Sequence, residues 1–265
     1  MRAASKADVI KKHFSLLCEL RKKYRIEVVT DEALSDPVIS YKISDVYGST
    51  RYLEFLSNEL AIYPISIFTR LQLDRIVLCS DLQKHDKPVS GCASMSLFPD
   101  NLALRMFFWK NTVYLDIKYD GTIDGLVTIH HELFHAIESH DDSWPKYVDV
   151  DWNKLNPAKF QYRSEMLASD CSPSLDFEGF LTDYSMQSVR EDKAELFSHM
   201  IVNLPRLETL AKKDQILAHK ILRLKKILAK FSPDFDEQFW TTRQEGAVKG
   251  SLKAEYEDLL LPRLR

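Results

Sequence analysis

The feature that most constrains this chain is the stretch 128–137, Thr-Ile-His-His-Glu-Leu-Phe-His-Ala-Ile, which contains the pattern HExxH at 131–135. In an α-helix, residues four apart lie one turn apart on one face, so His131 and His135 would point in the same direction. Two imidazoles placed in this way can both bind one Zn²⁺ ion at about 2.0–2.1 Å. Glu132 is rotated by about 100° from His131, so its carboxylate could take a proton from a water molecule at the metal without binding the metal itself. The motif therefore predicts a helix that carries a metal site.

Two histidines leave a catalytic zinc site incomplete, because such a site uses three protein ligands and an open position. In the longer pattern HExxHxxGxxH the third ligand follows a glycine turn, but here Glu138 stands at the glycine position, which argues against Asp141. His140 lies too close along the same helix. The best candidate is Glu191, and Glu195 follows it by one helical turn. One of these two could bind the metal while the other accepts a hydrogen bond from a ligating imidazole.

Both glutamates also have structural interpretations, which the sequence leaves open. Ser188 and Glu191 fit the S-x-x-E capping box, in which the glutamate side chain reaches back to the start of its own helix. Glu195 could instead contact His199 one turn later. His130 points about 100° away from its neighbour in the motif, so we expect it to pack or to meet solvent.

The spacing of apolar residues predicts the elements around the motif. Helices are predicted at 7–24, 50–61, 64–71, 188–203 and 206–230, and strands at 26–30, 75–79, 104–109 and 113–117. We predict loops at 35–48, 81–101 and 141–183, and a hairpin that joins the last two strands through Lys110-Asn111. No repeat or linker is visible, so one domain over 1–265 is expected, with helices and a sheet in 1–120 and the motif helix, long loop, Glu-ligand helix and C-terminal helices in 121–265. This is an α+β fold with a small mixed sheet N-terminal to the HExxH helix and a mostly helical C-terminal part.

The composition excludes several classes of function. The net charge of −3 predicts no attraction to nucleic acid or anionic membranes, and no glycine-rich phosphate loop is present. No signal peptide is visible and no apolar run approaches the roughly 20 residues of a membrane span, so we expect a cytoplasmic protein, with leaderless secretion left open. The lysines of the 206–230 helix are expected to form a solvated face rather than a partner surface. We predict reduced core thiols at Cys18, Cys79, Cys92 and Cys171.

Taken together, the motifs resemble a known group of enzymes. HExxH followed by Glu191-Asp192-x-Ala194-Glu195 resembles the gluzincin metallopeptidases, and with Tyr184 seven residues before Glu191 it is similar to the catalytic domain of anthrax lethal factor. The wider pattern looks like the family described as putative zinc-binding metallopeptidases, and this resemblance spans about residues 113–205. It adds Trp152-x2-Leu155-Asn156-Pro157-x2-Phe160-x-Tyr162 and Gly179-Phe180-Leu181-Thr182-x-Tyr184.

The resemblance implies a zincin-like fold and a zinc-dependent peptidase with one Zn²⁺ ion held by His131, His135 and Glu191. It also implies that Tyr184 helps to stabilise the oxyanion formed when a peptide or protein substrate is attacked. The strand at 113–117 is our candidate edge strand for an extended substrate, or else an ordinary strand of the sheet. The rival hypotheses are a zinc metallohydrolase with a non-peptide substrate and a non-catalytic binding protein. The aromatic and amide residues of the long loop are expected to be scaffold rather than substrate contacts: Trp152, Asn156, Phe160 and Tyr162.

Overall fold

The computed structural model describes residues 5–34, 36–71, 73–95, 110–139, 149–163, 177–246 and Tyr256. These residues belong to two compact units, Met1–Ala136 and Ile137–Arg265, and the boundary between the units falls within the HExxH helix. The single domain expected over 1–265 stays a prediction. Several predicted features lie outside the described residues: the strand 104–109 with its hairpin, His140, Asp141 and Cys171.

The first unit combines helices with one mixed six-stranded sheet. Its helices are α1 (Lys6–Tyr24), α2 (Val46–Leu60), α3 (Ile65–Leu71) and α4 (Ile123–Glu138), of which the last two residues belong to the second unit. Its strands are β1 (Glu27–Val29), β2 (Ile39–Ile43), β3 (Arg75–Lys84), β4 (Lys87–Pro88), β5 (Gly91–Ser94) and β6 (Thr112–Asp116). The mixed sheet and its position before the HExxH helix agree with the predicted element order.

The sheet is built around the long strand β3. The main order is β1-β3-β6-β5, with β1 and β6 parallel to β3, and β5 antiparallel to β6. The strands β2 and β4 also pair with β3, both antiparallel. All five residues of β6 are buried, as expected for an interior strand with both faces covered. The prediction that 113–117 is an edge strand is therefore wrong, because β6 lies between β3 and β5.

The predicted loops at 35–48 and 81–101 are also wrong in part. The first contains β2 and the start of α2, and the second contains the end of β3, β4 and β5. Strands β4 and β5 are short and lack the apolar alternation that marks a half-buried strand. Strand β2 does show it, at Ile39, Tyr41 and Ile43, and the loop prediction overlooks that signal. The backbone groups of these strands find partners on β3 and β6, and such long-range pairing is not visible in a local pattern. Helix α2 starts earlier than predicted because Asp45 accepts hydrogen bonds from the backbone N–H groups of Tyr47 and Gly48.

Helix α1 buries a histidine on its inner face. His13 is 5% exposed, and its ring nitrogens lie 3.0 Å from Thr50 Oγ1 and 3.1 Å from Thr30 Oγ1. Phe14, the next residue of the helix, is apolar but 59% exposed. Cys18 on the same helix is exposed too, which corrects the prediction of a core thiol.

The second unit is helical in its described part. It contains α5 (Val150–Asn153), α6 (Val189–Ala211), α7 (Gln215–Phe231) and α8 (Glu237–Glu245). Helix α6 bends at Asn203, two residues before Pro205, whose ring and missing N–H interrupt regular helical bonding. The single helix predicted at 206–230 is in fact split between α6 and α7, because Asp214 accepts a hydrogen bond from Leu217 N and starts a new helix. None of the helices in the described ranges has both the length and the apolar character that crossing a bilayer requires.

Candidate metal centre

The HExxH motif lies on α4, which is buried along most of its length. Thr122 precedes the helix, and its hydroxyl accepts a hydrogen bond from the backbone N–H of Gly125. The three motif side chains are almost fully enclosed, with exposed fractions of 5% for His131, 6% for Glu132 and 4% for His135. Polar side chains in such surroundings require partners, because burying an unpaired polar group costs free energy.

The two histidines of the motif face each other. Their Nε2 atoms are 3.1 Å apart, and the rings meet edge to face with centroids 4.8 Å apart. Two imidazole nitrogens bound to one tetrahedral zinc at their usual bond length would be about 3.3 Å apart. The observed separation therefore fits a pair of nitrogens that share one metal ion, as the spacing HExxH predicts.

Glu132 holds an unpaired oxygen in this buried environment. Its Oε2 atom is enclosed and has no hydrogen-bond partner among the described residues. Leaving a buried acceptor unsatisfied costs about 1–3 kcal/mol, and more for a charged group. A polar group within hydrogen-bond distance, such as a water molecule or a substrate atom, would remove this penalty. The environment of Glu132 thus suits a proton acceptor beside a metal site.

Strand β5 packs directly against the face of α4 that carries Glu132. Thr128, one turn before Glu132, donates a hydrogen bond from Oγ1 to Ser90 Oγ at 2.9 Å. A Cβ atom placed on Gly91 would lie only 3.0 Å from Glu132 Cγ. Gly91 therefore allows the strand to approach the helix at the level of the candidate base, and no signal in the sequence pointed to this contact.

His130 packs away from the two metal-ligand candidates. It is 1% exposed, with Nδ1 2.7 Å from the Tyr63 hydroxyl and Nε2 3.1 Å from Glu59 Oε2. This confirms the packed alternative of the prediction rather than the solvated one. The sequence could not identify Tyr63 and Glu59 as its partners, since they lie on other elements 67 and 71 residues away.

Glu191 lies in the first turn of α6, in the second unit. Ser188 is the N-cap, and its Oγ accepts a hydrogen bond from the backbone N–H of Glu191 at 3.2 Å. This contact is one half of the predicted capping box. The side chain of Glu191 is half-buried, whereas α6 is buried at every position from Asp192 to Leu204.

Glu195 and Tyr184 are linked through a tight turn. Glu195 Oε2 accepts a hydrogen bond from Thr182 Oγ1 at 2.8 Å and lies 3.8 Å from His199 Nε2, the contact foreseen as its structural alternative. Thr182 Oγ1 in turn accepts from the backbone N–H of Ser185 at 3.1 Å, and Ser185 Oγ donates to the carbonyl of Thr182 at 2.6 Å. Tyr184 lies inside this turn, in the short 3₁₀ helix Tyr184–Met186. Glu195 thus anchors the turn that carries the tyrosine.

The last turn of α4 is tied to the first turn of α6 within the second unit. Glu138 lies three residues after His135, and its carboxylate is 3.6 Å from Arg190 Nε and 3.8 Å from Lys193 Nζ. Both partners flank Glu191 in the sequence. Glu138 and Lys193 are both nearly fully buried, so these charges are held where they are weakly screened.

Comparisons with known proteins found one matching family and one similar solved structure. Residues 108–231 match the sequence model of a family described as "Putative zinc-binding metallo-peptidase". No curated protein matches the chain. A solved structure, a "putative zinc-binding metallo-peptidase from Bacteroides caccae", is similar with a TM-score of 0.55 and 14% identity over 97% of this chain and 98% of that chain. The chain therefore shares the fold of that structure, and all its predicted site residues lie in the segment that matches the zinc-binding metallo-peptidase family.

Proposed function

We propose that this protein is a zinc-dependent peptidase of the gluzincin type with a zincin-like fold. His131, His135 and Glu191 would hold one Zn²⁺ ion, and Glu132 would act as the general base. The observation that carries the proposal is the geometry of the motif helix. Two imidazole nitrogens 3.1 Å apart lie on the same buried helix as a carboxylate oxygen without a partner.

The ion pairs of Glu138 support Glu191 as the third ligand. Glu138 follows His135 by about one turn, and its carboxylate pairs with Arg190, the residue before Glu191, and with Lys193, two residues after it. These contacts bring the first turn of α6 against the end of the metal helix. A carboxylate in that turn is then a natural third ligand for a site that two histidines leave incomplete.

The proposed chemistry assigns a separate task to each side chain. When bound, zinc supplies a Lewis acid that lowers the pKa of a water ligand and polarises the substrate carbonyl. Glu132 accepts a proton from the attacking water molecule through Oε2 and later delivers it to the leaving amine. Tyr184 donates a hydrogen bond to the carbonyl oxygen as negative charge develops there, a contribution of about 3 kcal/mol for a well-placed donor. Glu195 would hold a ligating imidazole in addition to anchoring the turn of Tyr184.

Strand β5 favours a peptide as the substrate. Strand β5 pairs with β6 along one edge, and we assign its other edge to the substrate. An extended peptide could add to this edge through backbone hydrogen bonds, which is a common mode of peptide recognition. Because Gly91 of β5 lies against Glu132, a peptide in that position would pass beside the proposed base. The substrate strand that the sequence assigned to 113–117 is thus reassigned to β5.

Digestion of an unfolded protein tests the proposal. We expect the wild type loaded with Zn²⁺ to cleave reduced, unfolded casein, and cleavage to stop on treatment with a chelator and return with Zn²⁺. Glu132→Gln should bind zinc as the wild type does and lose at least about 99% of the activity, because general-base catalysis contributes about 10²–10⁴-fold.

Asp124→Asn is the matched control for this experiment. It makes the same change of carboxylate to amide at an exposed position in the first turn of the same helix, and it should retain activity. Zinc bound without any peptide cleavage would refute the peptidase assignment. A wild type that binds no zinc in zinc-replete buffer would refute the metal site itself.

A further inference from the structure

Asp192, the residue after Glu191, has one of the most heavily bonded side chains in the described part of the second unit. It is 2% exposed, and its Oδ2 atom accepts three hydrogen bonds. The donors are Trp152 Nε1 at 2.8 Å, the Tyr162 hydroxyl at 2.7 Å and Lys220 Nζ at 2.7 Å. Lys220 is itself fully buried, so water cannot take the place of either member of the ion pair.

Several of the motif residues to which the proposed chemistry assigns no role surround this carboxylate. Lys220 Nζ also donates to the carbonyl of Gly179 at 2.9 Å and lies 3.6 Å from the centre of the Phe180 ring. Tyr162 accepts a hydrogen bond from Asn156 at 3.0 Å. These motif residues therefore surround Asp192. They contact it directly or through Tyr162 or Lys220: Trp152, Asn156, Tyr162, Gly179 and Phe180.

The other neighbours of Glu191 are held as well. Lys193 is 1% exposed and lies 3.1 Å from Asp149 Oδ2, and Arg190 contacts Glu138. Burial alone would raise the pKa of Asp149, but Lys193 and a backbone hydrogen bond outweigh it and hold the pKa below its ordinary value. Asp149 therefore stays charged opposite Lys193. Glu191 is thus flanked by side chains that are each tied to another segment.

This arrangement controls where Glu191 lies. Consecutive residues of a helix are related by a rotation of about 100° and a rise of 1.5 Å, so a position that cannot move fixes the backbone of its neighbour. Asp192 cannot move without separating its carboxylate from the buried ammonium group of Lys220. A metal ligand must be placed to within about 0.5 Å, and its own side-chain torsions supply only part of that accuracy.

We propose that Asp192 is a positioning residue for the metal ligand Glu191, acting through the backbone of α6 and held by Lys220, Trp152 and Tyr162. The inference rests on the proposed function, since it takes Glu191 to be a zinc ligand. Asp192 itself binds neither the metal nor the substrate. Its loss should therefore weaken metal binding in a protein that is still folded.

The zinc affinity of Asp192→Asn tests this role. We expect competition with a chromophoric chelator to show a loss of about tenfold or more relative to the wild type, within the range known for residues that orient metal ligands. The Co²⁺-loaded variant should also show a changed visible absorption band, because that band reports the ligand geometry and not stability.

Asp116→Asn is the matched control. Asp116 is 4% exposed and accepts hydrogen bonds from the backbone N–H groups of Leu82 and Lys118. The same chemical change there should alter stability while leaving zinc affinity within about twofold and the Co²⁺ spectrum unchanged, since both hydrogen bonds that it accepts come from residues outside the helices that carry the proposed ligands.

The possible results separate the two proposals. Wild-type zinc affinity and Co²⁺ spectrum in folded Asp192→Asn would overturn the positioning role and leave the proposed function intact. A wild type without zinc would overturn the proposed function first. If Asp192→Asn does not fold, Tyr162→Phe removes one of the three hydrogen bonds: a folded variant with weaker zinc binding supports the role, and one with wild-type affinity overturns it.

Discussion

Gly91→Ala would test how closely β5 must approach the HExxH helix. Strand β5 is extended at this position, so the backbone accepts alanine, but the added Cβ would lie 2.5 Å from Thr128 Cγ2. It would also lie 3.0 Å from Glu132 Cγ and 3.2 Å from the carbonyl oxygen of Tyr114. Carbon atoms in contact are normally about 3.5–4.0 Å apart, so the strand or the helix must move by about 1 Å.

Two opposing effects determine how Gly91→Ala changes the free energy of unfolding. Forcing a methyl group into a packed site costs about 1–3 kcal/mol. Replacing glycine reduces the entropy of the unfolded chain and returns about 0.4–1 kcal/mol. We expect a net loss of about 1–2 kcal/mol in the free energy of unfolding, which thermal unfolding should record as a fall in Tm of about 2–8 °C. Peptide hydrolysis should fall as well, because the shift displaces Glu132.

A second substitution separates the steric cause from general damage to the strand. Thr128→Ser removes Cγ2 but keeps the hydroxyl that donates to Ser90, so it should change stability little by itself. Combined with Gly91→Ala, it should recover most of the lost stability, which makes the two effects strongly non-additive. Activity should recover less, because the new methyl group still meets Glu132 Cγ. The reasoning is refuted if Gly91→Ala is as stable as the wild type, or if the two losses simply add.

Two further predictions concern one buried titratable side chain in each unit. Burial lowers the pKa of His13 although Asp31 opposes the shift, so the unfolded chain takes up a proton first as the pH falls below about 6.5. The free energy of unfolding should therefore fall from about pH 6.5 down to the lower pKa of folded His13 and then level off. In urea unfolding, His13→Gln should lack this part of the fall. A variant whose stability changes with pH as that of the wild type does would contradict the assignment to His13. Lys220→Met leaves the carboxylate of Asp192 buried without its cation and should cost about 3–5 kcal/mol in denaturant unfolding. Lys226→Met, at an exposed position of the same helix, should stay within about 0.5 kcal/mol, and equal effects at both positions would show that burial of the ion pair is not the cause.

Local sequence patterns predicted many of the helices. The helices at 7–24, 64–71 and 188–203 are found where predicted, because a period of 3.6 residues and a capping residue such as Ser188 are visible within a short window. Strands were harder to predict. β2 and β5 are held by hydrogen bonds to β3 and β6, which lie some tens of residues away in the sequence. Strand β2 alternates Ile39, Tyr41 and Ile43 with polar residues, but the four residues of β5 carry no sign of their partner.

The sequence by itself determined the relation between His131, Glu132 and His135, because four residues make one helical turn whatever surrounds the helix. Only the tertiary structure decided what surrounds them: Gly91 against Glu132, and Tyr63 with Glu59 around His130. It also decided that Asp192 would meet Lys220, an aspartate and a lysine that carry no motif together. The physical reason is that helix geometry is set by neighbours in the chain, whereas the partner of a buried polar group is chosen by the packing of distant segments.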